Sequence, residues 1–206
     1  MPQTRAPYVG ERLRAARSDR GVSIRALARD LGVSASLISQ IETGKSQPSV
    51  STLYAMTTAL GISVEDVFAT PEEGVENDAE LPAVLDALGP ERGHRFGPLV
   101  PPAERQVLQL DSGVTWERLG QLPHTHVDFL LITYAPGGTS SSNGGLMRHL
   151  GSEYGFLHSG ELSLTLGFEE FLLRPGDAIS FESTTPHRYR NDGTEPAVGI
   201  WFVNER

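Results

Sequence analysis

Apolar positions along the first 70 residues recur at helical spacing and are broken by capping residues at short intervals. In residues 8–20, Val9, Leu13 and Ala16 form one stripe, with Arg12, Arg14, Arg17 and Arg20 around it, which predicts a first helix. Ser23 precedes the run Ile24, Leu27, Ala28 and Leu31, so it is placed to cap a second helix, and Gly32 follows where a sharp exit needs positive φ. Ser34 opens a third run in which Leu37, Ile38 and Ile41 share a face, ended by Gly44 and Pro48. Ser49 or Ser51 caps a fourth helix, with Leu53, Met56, Thr57 and Leu60 turned inward and Gly61 as its stop. Ser63 begins a short fifth helix whose carboxylates sit where the helix dipole favours them.

The pattern then changes twice. From Thr70 an acidic stretch, TPEEGVENDAE, has almost no large apolar residue, and residues 71–105 read as a linker. LPAVLDALG within it predicts a turn or two of helix, and the Pro-rich HRFGPLVPPAER an extended first edge strand. From Gln106 onward short runs rich in β-branched and aromatic residues alternate with Gly, Pro, Asn and Asp turns. That spacing predicts an all-β sandwich or barrel. The expected chain is therefore multidomain: an all-α five-helix unit over 1–70, a linker over 71–105, and an all-β unit over 106–206.

The second and third helices are joined by so short a turn that they must cross steeply, as in a helix-turn-helix. The outward face of the third helix carries Ala35, Ser36, Ser39, Gln40 and Thr43, small or uncharged polar residues able to lie near base edges. Glu42, between Ile41 and the terminating glycine region, is expected to be a structural partner for an arginine. The net charge of −9 is unevenly spread: residues 1–70 hold 8 Lys+Arg against 6 Asp+Glu, and residues 71–206 hold 9 against 20. A mildly basic head on an acidic body points to two modules with different partners. The chain lacks cysteine, which excludes disulfides and thiolate metal sites, and has no apolar run long enough to span a bilayer. The expected location is the cytoplasm, with no membrane partner.

Residues 8–68 resemble the Xre-type helix-turn-helix domain, also called lambda-repressor-like or Cro/C1-type. The resemblance is carried by the order LR-A-R---G-S---LA--LGVS-S-IS-IE-GK--PS--TL---A-ALG. It implies that the helix beginning near Ser34 enters the major groove of a double-stranded DNA operator. Ala35, Ser36 and Gln40 would then face bases, Gln40 with a bidentate contact to adenine as its natural role. Ser39 and Thr43 would reach the neighbouring edge or a phosphate, and Ser23, Arg25, Lys45 and backbone amides at helix starts, Ser34 among them, would hold phosphates.

The segment GGLMRHLGSEYGFLHSGELSLTLGFEEFLLRPGDAISFESTTPHRYRN resembles the two motifs of the cupin fold, a double-stranded β-helix or jelly-roll. His149, Glu153 and Gly160 match the first motif, with Met147 at the position of its first histidine. Pro175-Gly176-Asp177, Pro186-His187 and Asn191 match the second. The resemblance implies a site built from His149, Glu153 and His187, open to two chemistries. Two imidazoles and a carboxylate suit a divalent transition metal such as Zn, Fe, Mn or Ni. The same three residues can anchor an organic effector without metal, and the thioether of Met147, a poor ligand for hard ions, favours an apolar pocket wall. Tyr134, Phe129, Phe181 and Trp201 are the other lining candidates. His124 and His126 form a second spaced pair without the matching glutamate, and His158 has the strand parity to face away from Glu153.

Together the two resemblances describe Xre-type transcriptional regulators with a C-terminal cupin sensor domain. The expected function is sequence-specific DNA binding modulated by a small-molecule effector, a metal ion or both, without enzymatic activity. A metal-dependent cupin enzyme with an accessory DNA-binding head is the alternative. Nothing in residues 1–70 reads as a dimer zipper, so a homodimer is expected to form through the cupin domain.

Overall fold

The computed structural model describes residues 9–68, 99–120 and 127–204. Five helices come first: α1 (Val9–Asp19), α2 (Ile24–Leu31), α3 (Ala35–Glu42), α4 (Val50–Leu60) and α5 (Val64–Phe68). Their caps follow from the sequence. The Ser23, Ser34 and Ser49 hydroxyls accept from the backbone N–H three residues on, which settles the fourth helix on Ser49 rather than Ser51. Gly32 and Gly61 close α2 and α4 at φ of 67° and 56°, in the left-handed region that glycine enters without a Cβ penalty. Ser63 and Asp66 exchange bonds in a capping box at the start of α5. Leu13, Leu27, Ile38, Ile41, Leu53, Met56 and Leu60 make the helical core, as the periodicity requires. Glu42 is buried and takes a bidentate pair from Arg17, at 2.6 and 2.8 Å.

Nine strands follow: β1 (Val107–Leu110), β2 (Val114–Gly120), β3 (Val127–Tyr134), β4 (Ser152–Ser159), β5 (Leu162–Leu166), β6 (Glu169–Leu173), β7 (Ala178–Glu182), β8 (His187–Arg190) and β9 (Ala197–Asn204). They form an antiparallel six-stranded sheet in the order β1-β2-β3-β9-β4-β7 and a three-stranded sheet in the order β6-β5-β8. Burial alternates along β2, β3, β4 and β9, so each turns one face to the barrel interior. Trp201 lies flat on that interior over two glycines. A Cβ on Gly155 would stand 2.7 Å from its ring, and one on Gly199 2.4 Å.

One expectation changes, and two local features sharpen. The described part of the Pro-rich stretch is a 3-10 turn at Pro102–Glu104 rather than a strand, and pairing begins only at Val107, because proline supplies no ladder donor. The run ELSLTLGFEEFLL is two strands, β5 and β6, turned at Gly167. In the Gly/Ser-rich loop over 137–145, Ser140 and Ser141 are buried. The helical reading of LPAVLDALG, His94, and the pair His124 and His126 lie outside the described residues.

The helical domain is docked on the barrel. Ser51 N–H donates to Ser140 O and Asp111 N–H to Pro48 O, each at 2.9 Å. Arg118, buried among the strands, reaches Glu65 of α5 at 3.1 Å and lies over the Phe68 ring, 5.4 Å from its centroid.

Candidate functional site

The outward face of α3 is built as the pattern requires. Ser36, Gln40 and Thr43 are exposed, Ala35 and Ser39 half-buried, while Ile38, Ile41 and Glu42 pin the opposite face to the core. The Ser34 hydroxyl is engaged as the cap of α3, accepting from Leu37 N–H, and Ser23 does the same for α2. The Thr43 hydroxyl donates back to Ser39 O at 2.7 Å, so its proton is committed within the helix. Gln40 N–H and O side-chain groups carry no such commitment among the described contacts, and its backbone carbonyl accepts from Lys45 and Ser46. Arg25 and Lys45 are exposed.

Inside the barrel, β4 and β8 bring Glu153 and His187 together, and the segment before β4 adds His149. All three are buried. Glu153 Oε1 lies 2.9 Å from His149 Nε2 and 3.0 Å from His187 Nε2, and the donor atoms of all three residues fall within 4.8 Å of one another. The other carboxylate oxygen accepts from the Tyr189 hydroxyl at 3.0 Å, which in turn accepts from the Trp201 indole N–H at 3.2 Å. Burial by itself raises the Glu153 carboxyl, but the two imidazoles outweigh it and hold the group down at about 2. Burial and then the Glu153 charge push the Tyr134 and Tyr189 phenols above their ordinary range.

The imidazole partners fix the ring chemistry. Nδ1 of His149 faces Leu150 O at 3.1 Å, and Nδ1 of His187 faces Thr185 O at 2.8 Å. A carbonyl only accepts, so both Nδ1 atoms carry hydrogen. In the neutral rings both Nε2 lone pairs then point toward a carboxylate oxygen. Three electron-rich atoms converge on one spot, and a cation, either proton or metal ion, is needed to hold them. Nε2 of His187 is buried, with Glu153 Oε1 at 3.0 Å but no hydrogen bond that satisfies it. Carbonyl-bound Nδ1–H with a free Nε2 is the outer-shell arrangement of metal-ligating histidines. The residues present therefore fit a divalent transition metal: His149 and His187 would supply nitrogen, Glu153 oxygen.

Met147, Tyr134 and Trp201 line the cavity beside Glu153, together with Trp116, Ile132, Tyr189 and Val203. Phe181 stands opposite Glu153 on β7, and its ring packs against His187 at 5.0 Å on the histidine side of the site. Phe129 faces the opposite way, stacked on Phe202 outside the sheet, because its parity in β3 is opposite to that of Tyr134. His158 is exposed, as its parity dictates. Six wall residues were not among the sequence candidates, four of them on the strands and two on a helix. Val50 and Tyr54 of α4 reach into the cavity, and the Tyr54 ring stacks on His149 with centroids 3.9 Å apart and planes 2° from parallel. Tyr54 stands one position beyond Leu53 in a helix whose inward face the pattern had already filled, and periodicity alone carries no sign of a second partner.

Comparison with known proteins matches the two halves separately. Residues 9–68 match a helix-turn-helix domain family and residues 130–203 the cupin domain family. The chain is 27% identical over 184 residues to the HTH-type transcriptional regulator PuuR of Escherichia coli, covering 88% of this chain and 86% of that protein. It is 24% identical over 190 residues to the regulator SutR of the same organism, covering 92% and 90%. Among solved structures, an HTH_3 family transcriptional regulator from Vibrio cholerae superposes with a TM-score of 0.63 at 24% identity, over 97% of this chain and 96% of that one. That likeness supports the fold of both domains in one chain.

Proposed function

We infer that this chain, a helix-turn-helix protein with a C-terminal cupin domain, is a DNA-binding transcriptional regulator whose cupin site takes a ligand that alters DNA binding. One observation carries the reading: a helix that exposes Ser36 and Gln40 and a buried His-Glu-His site occur in the same chain, and the two domains are docked through direct hydrogen bonds. The similarity to transcriptional regulators runs across both domains, which supports regulation rather than catalysis as the task of the barrel. The protein is proposed to act on DNA in the cytoplasm, not as a metal-dependent enzyme.

The proposed DNA surface is α3 with its flanks. Ser36 and Gln40 read bases with Ala35 beside them, Ser39 and Thr43 lie at the edge, and Ser23, Arg25, Ser34 and Lys45 meet the backbone. Operator selection from random duplexes with the full chain tests this. A specific site should emerge, and Gln40→Ala should cost ~1–3 kcal/mol of discrimination at one base pair. A wild-type chain with no sequence preference would overturn the reading. A Gln40→Ala chain with unchanged preference would overturn only the role of Gln40.

The proposed homodimer uses the outer face of the six-stranded sheet. Phe202 is opposite Phe129 on one neighbouring strand and Tyr154 on the other, and Phe156 continues the row. Tyr154, Phe156 and Phe202 are 54%, 45% and 43% exposed, a contiguous apolar patch of the kind that marks an association surface. Two heads held in this way would read half-sites about one helical turn apart. Sedimentation should give a dimer for the wild type and a monomer for Phe202→Glu; an unchanged dimer would place the interface elsewhere.

A further inference from the structure

We propose that the barrel site is a ligand site shared by both domains, in which Tyr54 of α4 stands in for a planar, oxygen-bearing ring. Such a ligand takes the place of Tyr54 on His149 and frees α4 from the barrel. The inference builds on the regulator reading by naming the ligand class and the moving part.

Space comes first. With Tyr54 in place the cavity has a free volume of about 10 Å³, close to the roughly 10–15 Å³ that a single water needs. An ion or a water fits below Tyr54; an organic molecule does not. Any such ligand must displace part of the wall, and most of the wall belongs to the strands of the six-stranded sheet, paired along their lengths. Tyr54 and Val50 come instead from a helix of another domain, seated on the barrel by a small set of contacts.

Shape and chemistry come next. The Tyr54 ring lies parallel to His149 and meets Trp116 edge-on, with centroids 5.9 Å apart and planes 61° from parallel. Removing it would leave a slot for one six-membered ring, floored by an imidazole and bordered by an indole. The site also contains polar atoms that no described hydrogen bond uses: the buried Trp116 Nε1, a donor, and the buried His187 Nε2. A ring bearing a hydroxyl or carboxylate oxygen supplies the acceptor that Trp116 lacks, and an anionic oxygen suits a cation held between the histidines and Glu153.

Displacement reaches the DNA-binding helix over a short path. Tyr54 lies one turn into α4, whose cap Ser49 follows Pro48, and Pro48 O is itself tied to the barrel through Asp111. Ser51, in the first turn of α4, is bonded to Ser140. When Tyr54 leaves, the packing that seats this turn on the barrel is lost and these bonds are the first to be strained. The ligand thereby binds the docked and undocked arrangements unequally, as any effector must.

The chain has no native cysteine, so the full-length Ser51→Cys/Ser140→Cys protein reports docking directly through its rate of disulfide formation. Phenol, the side chain of Tyr54 as a free molecule, is the probe. Tyr54 competes from an effective concentration in the millimolar range, so phenol is used at tens of millimolar. Phenol should slow cross-linking about tenfold, while cyclohexanol, of similar size but not planar, should leave it unchanged. In a Tyr54→Ala chain, His149 should react with diethyl pyrocarbonate about tenfold faster than in the wild type, relative to exposed His158, and phenol should restore its protection. Tyr54→Phe should remain protected. Cross-linking unaffected by phenol, equal slowing by cyclohexanol, or a Tyr54→Ala chain whose His149 stays as protected as the wild type would each overturn the proposal. None of these measurements requires DNA, so a chain that binds no operator yet releases its head with phenol refutes the regulator reading and leaves this one standing.

Discussion

Glu153→Gln separates the two ways in which the barrel site can be held together. In the wild type, a carboxylate oxygen faces two Nε2 atoms at 2.9 and 3.0 Å while both Nδ1–H groups are engaged by carbonyls. That arrangement requires a cation. A glutamine places its two amide hydrogens where Oε1 stands, one for each Nε2 lone pair, and its oxygen can still accept from Tyr189. The network is then satisfied with neutral groups alone. Without metal the two imidazoles still hold the wild-type carboxyl at about 2, so the variant stripped with chelator should melt below the equally stripped wild type. Metal binding should fall as well. A full four-ligand structural zinc site is worth about 10–16 kcal/mol, so one ligand carries about 3 kcal/mol, or ~100-fold in affinity. Zinc at 100 times the wild-type Kd stabilises the native state by about 2.7 kcal/mol, which for a chain of this size is a rise of about 5–10 °C. At the same zinc concentration the variant sits near its own Kd and gains ~0.4 kcal/mol, about 1 °C. Thermal melts with zinc and with chelator read all four values. Equal zinc shifts in the two proteins would refute the ligand role of Glu153. A stripped variant melting at or above the stripped wild type would refute the stabilising contact between the carboxylate and the imidazoles.

Other perturbations test the surroundings. Glu42→Ala leaves the Arg17 guanidinium, 12% exposed, without its bidentate partner; breaking such a pair should cost ~3–5 kcal/mol, seen as a lowered melting temperature. Gly155→Ala puts a methyl 2.7 Å from the Trp201 ring and 3.0 Å from Ile179, an overpacking that should cost ~1–3 kcal/mol in denaturant titration. Gly10→Ala meets the Ile41 carbonyl at 2.0 Å where α1 crosses α3. It should weaken operator binding along with stability, whereas Gly155→Ala, remote from α3, should lower stability with operator affinity unchanged under conditions where both are folded.

Much of the architecture was legible because local signals agreed. Serines stood at three helix starts, glycines with positive φ at the ends of α2 and α4, and strict alternation marked β3 and β9. Glu42 could be assigned to an arginine because a carboxylate between core positions needs a cation, although the sequence did not say which one. His149, Glu153 and His187 were legible as a set only through their resemblance to a motif, and the strands then brought them together. Parity within β3 misplaced Phe129, which sits on the face opposite to Tyr134 and stacks on Phe202, whereas the register of β7 on β4 sets Phe181 opposite Glu153 with its ring on His187.

Tyr54 shows a deeper limit of the pattern. A helical period identifies the face turned to a core, but not how many cores a helix touches. In α4 the residues Leu53, Met56, Thr57 and Leu60 fill the helical domain, while Val50 and Tyr54, one turn apart, form a second face on the barrel. A buried tyrosine beside a completed stripe is what a two-sided helix looks like in one dimension, and a generous single stripe looks the same. The distinction matters for function, because a one-sided α4 would leave the cupin site and the DNA-binding helix linked only through the chain between the domains. The stacked pair Tyr54 and His149 instead makes a residue of the DNA-binding domain part of the site that would hold a ligand or metal. Coupling then needs no long path: whatever changes the environment of His149 acts at once on the helix that follows α3.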